Sequence, residues 1–454
     1  MQWSCKRLFL LTTCCTLGLM TDVRAQVSSD GTLSTTVTSP NNLNFTINNG
    51  DRVGGNLFHS FREFSVPNNG SAVFQNALDV RNIISRVTGG SLSQINGLIQ
   101  AQGTANLFLL NPAGISFGQN ARLSIGGSFF ATTADSLLFD NGFEFSATNP
   151  QAPPLLTVNI PIGLRFRDNP GSILNQSVAT NSNGENVGLQ VEPGKTLALV
   201  GGEVRLDGSL LQAANGRVEL AGVAGSGTVN LQVNNNNLSL SFPVDIPRAD
   251  VSLLNAKVDV TNNGAGSVGI TARSIDILGG SKISAGLSKE AGIASVPGNI
   301  TLNATGVVTI DQLSRITNTS AKGTTGNAGN ISIQAGDIFI NNRASVPNQD
   351  EILPAALDTS SLGQGRAGNV LLSGTGLITL IGQDATNQDL VISTNGNIKG
   401  AGDISVFTAG SILLSDAYLF AGSEKANGGN ISLLGNNISI ADNSSLISGT
   451  NGGI

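Results

Sequence analysis

Side chains that could do acid–base or metal chemistry are few in this chain and far apart. Histidine occurs once, as His59 in NLFHSFREF, with Glu63 as its nearby carboxylate. One imidazole and one acid do not complete a metal-ligand set, so His59 reads as a packed or hydrogen-bonded side chain. Pro193-Gly194-Lys195-Thr196 has the ending of a phosphate-binding loop. However, Leu189 stands where such a loop needs its first glycine, and no helical pattern follows. Asp311, Asp416 and Asp442 recur at like positions of a repeat and could form a carboxylate ledge. Their counterparts in sister units are Gly279, Asn342 and Gly382, and what Gly, Asn and Asp share is tolerance of tight corners, not acid–base chemistry. No cysteine nucleophile or calcium-binding nonapeptide is present. No catalytic, cofactor or metal residue is assigned.

One constellation remains, and it is conformational. In NLFLLNPAGISFG, the residues Asn111, Pro112, Ala113, Gly114 and Ile115 break an apolar run and then restart it. Pro112 pre-sets the first corner dihedral, and Gly114 can supply positive φ, as a type II or related turn requires. Asn111 can bond nearby backbone amides with its side chain. The motif therefore reads first as a corner that nucleates a coil, and second as a docking epitope.

The chain opens with a basic pair, Lys6-Arg7, an apolar run from Leu8 to Met20, and Val23-Arg24-Ala25 before Gln26. This is the pattern of a secretory signal peptide over residues 1–25, cleaved between Ala25 and Gln26. All three cysteines, both methionines and the tryptophan lie in that leader. Without it the chain carries 21 Lys+Arg against 29 Asp+Glu and has no basic cluster. Nucleic-acid binding by phosphate neutralisation is disfavoured accordingly. No later segment is apolar for long enough to span a bilayer as a helix.

The second half repeats. Anchors at Val268, Ile300, Ile331, Val370, Ile404 and Ile431 are mostly introduced by Gly-Asn or Gly-Asp. Each is followed two residues later by another apolar residue, then by a second alternating pair: Ile275/Ile277, Val308/Ile310, Ile338/Ile340, Ile378/Leu380, Ile412/Leu414 and Ile438/Ile440. A third apolar position follows at Ile283, Ile316, Val346, Leu419 and Leu446; the Val370 unit lacks it and holds an insertion there. Three short alternating strands cannot bury their apolar faces alone, but stacked as successive coils they make one core. The expected fold class is all-β, a parallel β-helix of roughly 20 coils on the order of 100 Å long. Ile333→Asp should be severe, and Asn342→Gly mild.

Four blocks in one order complete the reading: GGNLFHSFREFSV (54–66), VRNIISRVTGGSLSQINGLI (80–99), ANLFLLNPAGISFGQNARLSIGGSFFATTAD (105–135) and LLTVNIPIGLRF (155–166). Together they resemble the N-terminal secretion domain (the TPS, or haemagglutination-activity, domain) of the filamentous haemagglutinin family, the exported partner in two-partner secretion. The repeats resemble those of large cyanobacterial exoproteins. The resemblance implies a right-handed β-helix and recognition in the periplasm by an outer-membrane transporter with POTRA domains. It also implies release or surface display and an adhesin-like role toward a host-cell or extracellular polymer. The family's Asn-Pro-Asn-Gly-Ile motif matches residues 111–115, with Ala113 in place of the second Asn; a companion Asn-Pro-Asn-Leu motif has no literal counterpart. The expected organisation is a signal peptide (1–25), a secretion domain (26–165) sufficient for export from residue 31 onward, an irregular β-helix extension (166–265) and degenerate repeats (266–454). The chain stops at SGTNGGI without a polar cap, which reads as a shortened C-terminus. A β-helical polysaccharide lyase or hydrolase is the alternative. It would need acids and bases clustered on one coil face, and the charges here are thin and scattered.

Overall fold

A computed structural model describes residues 26–150, 161–181, 183–234, 237–264, 266–289, 297–343, 354–383 and 390–450. The leader, including Ala25, and Val346 lie outside them. Among the described residues every helical or strand element is a strand.

From Asn82–Val87 onward, each coil contributes one strand to each of three faces. The first face runs in parallel from Asn56–Phe64 through Asn82–Val87, Asn106–Leu110, Phe129–Thr132, Thr196–Gly201 and Arg217–Gly222, then through the repeat to Ile431–Leu434. The second runs from Ser93–Ile95 to Asn437–Ala441. The third is split into two sheets, one ending at Arg122–Ser124 and the other starting at Leu189–Gln190. Parallel pairing on all faces is what a chain winding one way must produce, and the fold is a right-handed parallel β-helix.

The repeat anchors stack in the expected register: Val268 on Ile300, then Ile331, Val370, Ile404 and Ile431. The second-face pairs do the same from Ile275 to Ile438. On the third face the residue stacked on Ile316 is Leu357, not Val346. In the Val370 unit the same place is held by Ile392, between Leu357 and Leu419.

The first face has twelve parallel strands among the described residues. The rod is therefore about 55 Å long at the spacing of a β-sheet, about half the expected length. The shortfall has a cause: three strands with their corners need more residues per coil than 20 coils would leave.

The Gly-Asn pairs have a physical explanation in this stack. A Cβ on Gly329, Gly368, Gly402 or Gly429 would collide with the carbonyl of the matching glycine one coil away: Gly298, Gly329, Gly368 or Gly402, respectively. The next residue ties the coils together. Asn299 Oδ1 accepts the Asn330 N–H (3.1 Å), Asn330 Oδ1 the Asn369 N–H (2.8 Å), Asn369 Oδ1 the Asp403 N–H (2.8 Å), and Asp403 Oδ1 the Asn430 N–H (2.8 Å). Glycine gives contact distance, and the following Asn or Asp supplies the oxygen that the sheet lacks at its corner.

The corner residues behave less uniformly than expected. Gly279, Asp416 and Asp442 have φ of 66°, 48° and 55°. In the Asp311 coil the left-handed conformation falls instead on Gln312 and Leu313. Asn342 is buried, and its Nδ2 donates to the carbonyls of Pro354 (3.0 Å) and Leu390 (2.8 Å). Asn342→Gly is therefore not mild, because it strips two buried carbonyls of their donor.

Residues 136–241 add a second layer. The chain leaves the coil after Phe129–Thr132 to form Ser136–Phe139, Glu144–Ser146 and Pro161–Phe166. It leaves again after Arg217–Gly222 to form Gly227–Asn234 and Asn237–Ser241. The two excursions meet: Gly163–Phe166 pair antiparallel with Asn230–Gly227, completing a five-stranded sheet. This sheet covers the outer side of the first face and buries Phe58, Ile84, Phe108, Phe130, Val200 and Ala221 in a second core.

Candidate functional site

Residues 111–115 form a corner held by three coils. The Gly114 N–H donates to the Asn111 carbonyl (3.0 Å), closing a turn with Pro112 and Ala113 in the middle. Only Gly114 of this group has positive φ, +116°, so the turn is not type II. Asn first, Pro second and Gly fourth is the residue order of a type I turn. Asn111 is fully buried. Its Nδ2 donates to the Ser91 carbonyl (2.9 Å) and Ser93 Oγ (2.8 Å) in the coil below, and its Oδ1 accepts the Ala113 N–H (3.0 Å). In the coil above, the Gly171 N–H donates to the Pro112 carbonyl (3.0 Å), and the Ile115 N–H donates to the Ser172 carbonyl (3.1 Å). A Cβ on Gly114 would lie 2.9 Å from Leu92 Cδ1 and 3.0 Å from the Ser172 oxygen. Asn111, Gly114 and Ile115 are buried, Pro112 is half-buried, and Ala113 is exposed. The one position that departs from the family motif is thus the one facing solvent.

A second constellation was not anticipated from the sequence. Arg86 is buried on the first face. It donates from Nε to Ser60 Oγ (2.8 Å), from Nη1 to the Ser146 carbonyl (2.6 Å) and from Nη2 to Thr32 Oγ1 (3.1 Å), with its guanidinium 4.4 Å over the Phe145 ring. Burial lowers its pKa to about 10, opposed by the charge of Asp30. Burial would raise the Asp30 pKa, but hydrogen bonds from Ser60, Thr32 and Thr88 outweigh it and hold that carboxyl below its usual range. Arg86 thereby pins three parts together: the N-terminal segment, the coil and the outer sheet. The available signal was an arginine inside the apolar run NIISRV.

The other titratable candidates do not converge. His59 is buried between Phe61 and Phe74 with Nδ1 3.2 Å from Thr35 Oγ1, and burial lowers its pKa to about 4. It is a neutral core side chain at physiological pH. Glu219 is sealed under the outer sheet, where burial raises its pKa against the pull of Arg217 2.5 Å away. Asp311 accepts from Asn341 Nδ2 (2.9 Å), Asp416 from Arg343 Nη2 (2.6 Å) and Asp442 from Ser415 Oγ (2.6 Å). These acids stitch coils together instead of facing a common point. Gly194 and Lys195 sit in the turn before Thr196–Gly201, a strand and not the helix a phosphate loop needs.

No helix among the described residues is long and apolar enough to cross a membrane. No curated protein matches this chain. Among solved structures, the HMW1 secretion domain from Haemophilus influenzae is similar in fold, with a TM-score of 0.58 at 18% identity, over 94% of this chain and 98% of that one. The filamentous hemagglutinin secretion domain aligns with a TM-score of 0.34 at 15% identity, over 89% and 99% of the two chains. A family model described as the TPS secretion domain matches residues 25–270, more than half of the chain. The chain belongs to the TPS secretion-domain family and is a two-partner-secretion exoprotein.

Proposed function

We propose that this exoprotein loses residues 1–25 by cleavage between Ala25 and Gln26 and crosses the outer membrane through a POTRA-containing transporter. Outside the cell it acts as an adhesin-like rod, released or held at the surface. The unit read by the transporter is residues 26–265, longer than the 26–165 expected from the motif blocks. The observation that carries this reading is the outer sheet. A border at 165 falls inside the strand Pro161–Phe166 and separates it from its partner Gly227–Asn234, whereas a border at 265 leaves the sheet whole. The family match over residues 25–270 supports the same limit. Within that unit, residues 111–115 hold the corner that aligns three coils, and their contribution to export is the surface those coils present. His59, Arg86 and Glu219 are sealed in cores, and Asp311, Asp416 and Asp442 are tied between coils, which supports a binding and export role over polysaccharide cleavage.

The test compares chains carrying residues 1–165 and 1–265 in cells with and without the transporter, measuring periplasmic and extracellular protein. Efficient transporter-dependent release is expected for the longer chain, and its N-terminus should read Gln26. Equal release of the shorter chain would return the border to 165. Release of either without the transporter would reject two-partner export.

A further inference from the structure

The Gly-Asn ladder leaves half of the carboxamide unused at Asn299, Asn330 and Asn369. The oxygens of Asn299, Asn330 and Asn369 accept the N–H of the next coil. All three residues are exposed, and their Nδ2 groups have no partner among the described residues. They stand one coil apart, so three carboxamide donors repeat at the sheet spacing of about 4.8 Å along the rod. Hollows of about 390 Å³ lie on both sides of this row, and both are lined by Asn299, Asn330 and Asn369. The floor on one side is Thr301, Ser332 and Ser405, with the apolar Leu371 among them. Beside Ser405 on the same strand, Phe407 is exposed, and it pairs with the exposed Leu434. The charges at this place, Arg366 and Asp403, are 4.0 Å apart and offset each other.

We propose that this trough, across the coils from Asn299 to Ser405, binds a neutral polysaccharide chain lying along the rod axis. The inference rests on the adhesin-like reading above and names its ligand class. Carboxamides and hydroxyls in a row, without net charge, match the alternating donors and acceptors of sugar hydroxyls. An exposed phenylalanine beside them offers a platform for the apolar face of a ring. A charged polymer would find no complementary field here. A peptide strand would need an open sheet edge, and these first-face strands are paired on both sides.

The structure also supplies a variant that separates binding from folding. Asp403 occupies the ladder position naturally and still accepts the next coil's N–H. Asn330→Asp with Asn369→Asp therefore keeps both structural oxygens and removes two outward donors. The secreted full chain would be titrated with a panel of neutral and uronic-acid oligosaccharides, with binding followed by calorimetry and protection of the coils by hydrogen exchange. The expected result is saturable binding of a neutral oligosaccharide, weakened about tenfold or more in the double variant at unchanged exchange protection. Phe407→Ala should weaken it independently. Binding that is unaffected by all three substitutions would overturn the trough as the site while leaving an adhesive role intact. Wild-type chain that attaches to cells but binds no neutral oligosaccharide, or that prefers uronic acids, would overturn the ligand class. Failure of wild type to attach to any cell or polymer would reject the adhesin-like reading itself.

Discussion

Strand Asn106–Leu110 and strand Ile300–Ala304 belong to the same sheet, yet they obey different rules. In the first, NLFLL, four successive residues are buried, because Leu107 and Leu109 face the coil interior while Phe108 and Leu110 face the outer sheet. In the second, ITLNA, burial alternates, because the outer side meets solvent. Composition follows the same division: thirteen of the 18 phenylalanines lie between residues 45 and 166, where two cores must be filled. A strand's tolerance of polar residues is thus set by how many layers cover it, not by the fold.

The sharpest way to break this comparison is a charge scan across both registers. Leu107→Asp and Phe108→Asp should each be severe, on the order of 4 kcal/mol or more, since both bury an unpaired charge. In the repeat, Ile333→Asp should match them, while Ser332→Asp should stay within about 0.5 kcal/mol. Urea melts read with regional hydrogen exchange would show this. A mild Phe108→Asp beside a severe Leu107→Asp would mean that the outer sheet does not cover the coil in solution.

Acid should distinguish the regions next. The His59 pKa is about 4 folded against 6.5 unfolded, so the unfolded state takes up the proton first. Its contribution is intact above pH 6.5 and is lost as pH falls from 6.5 to about 4, by roughly 3 kcal/mol. Exchange protection around Asn56–Phe64 should decline in that window, ahead of the repeat, and His59→Gln should abolish the difference.

Corner chemistry predicts smaller changes. Asn342→Gly should cost about 2 kcal/mol through its two lost hydrogen bonds. Gly368→Ala should cost about 1–3 kcal/mol through collision with the Gly329 carbonyl. Thermal melts of both variants would check these values, and a neutral Gly368→Ala would show that coils can separate locally. Smallest of all, Ala113→Asn restores the family motif at an exposed position and should alter stability by less than about 0.5 kcal/mol. A large change in export with unchanged stability would make that position a contact for the transporter.

The repeat was legible because its anchors keep one face buried and period-2 alternation survives. Three features were not legible, for physical reasons. The outer sheet depends on two excursions about 60 residues apart along the chain meeting each other, and a local pattern carries no record of that pairing. The spacing of the sister units points to Val346 as the third-face position of the Ile331 coil, but insertions at corners are cheap, and Leu357 takes the place instead. Asn342 looked like a corner residue by type, whereas its burial and its two carbonyl partners come from coils distant in sequence. At residues 111–115 the turn was readable from Pro112 and Gly114, but the grip of Ser91, Ser93 and Gly171 on it was not.

The ladder of Gly-Asn joints has a consequence for how such a chain can change over generations. Every joint from Asn299 to Asn430 presents the same oxygen upward and the same amide hydrogen downward. A stretch of gene running from one Gly-Asn to the next therefore encodes a part with matching ends. Its duplication or loss leaves the neighbours' fittings unchanged. In this half of the molecule, reach is a variable that unequal recombination can adjust in whole steps. In the half tied down by Arg86 and the outer sheet, a change of length must also let Gly163–Phe166 and Gly227–Asn230 meet.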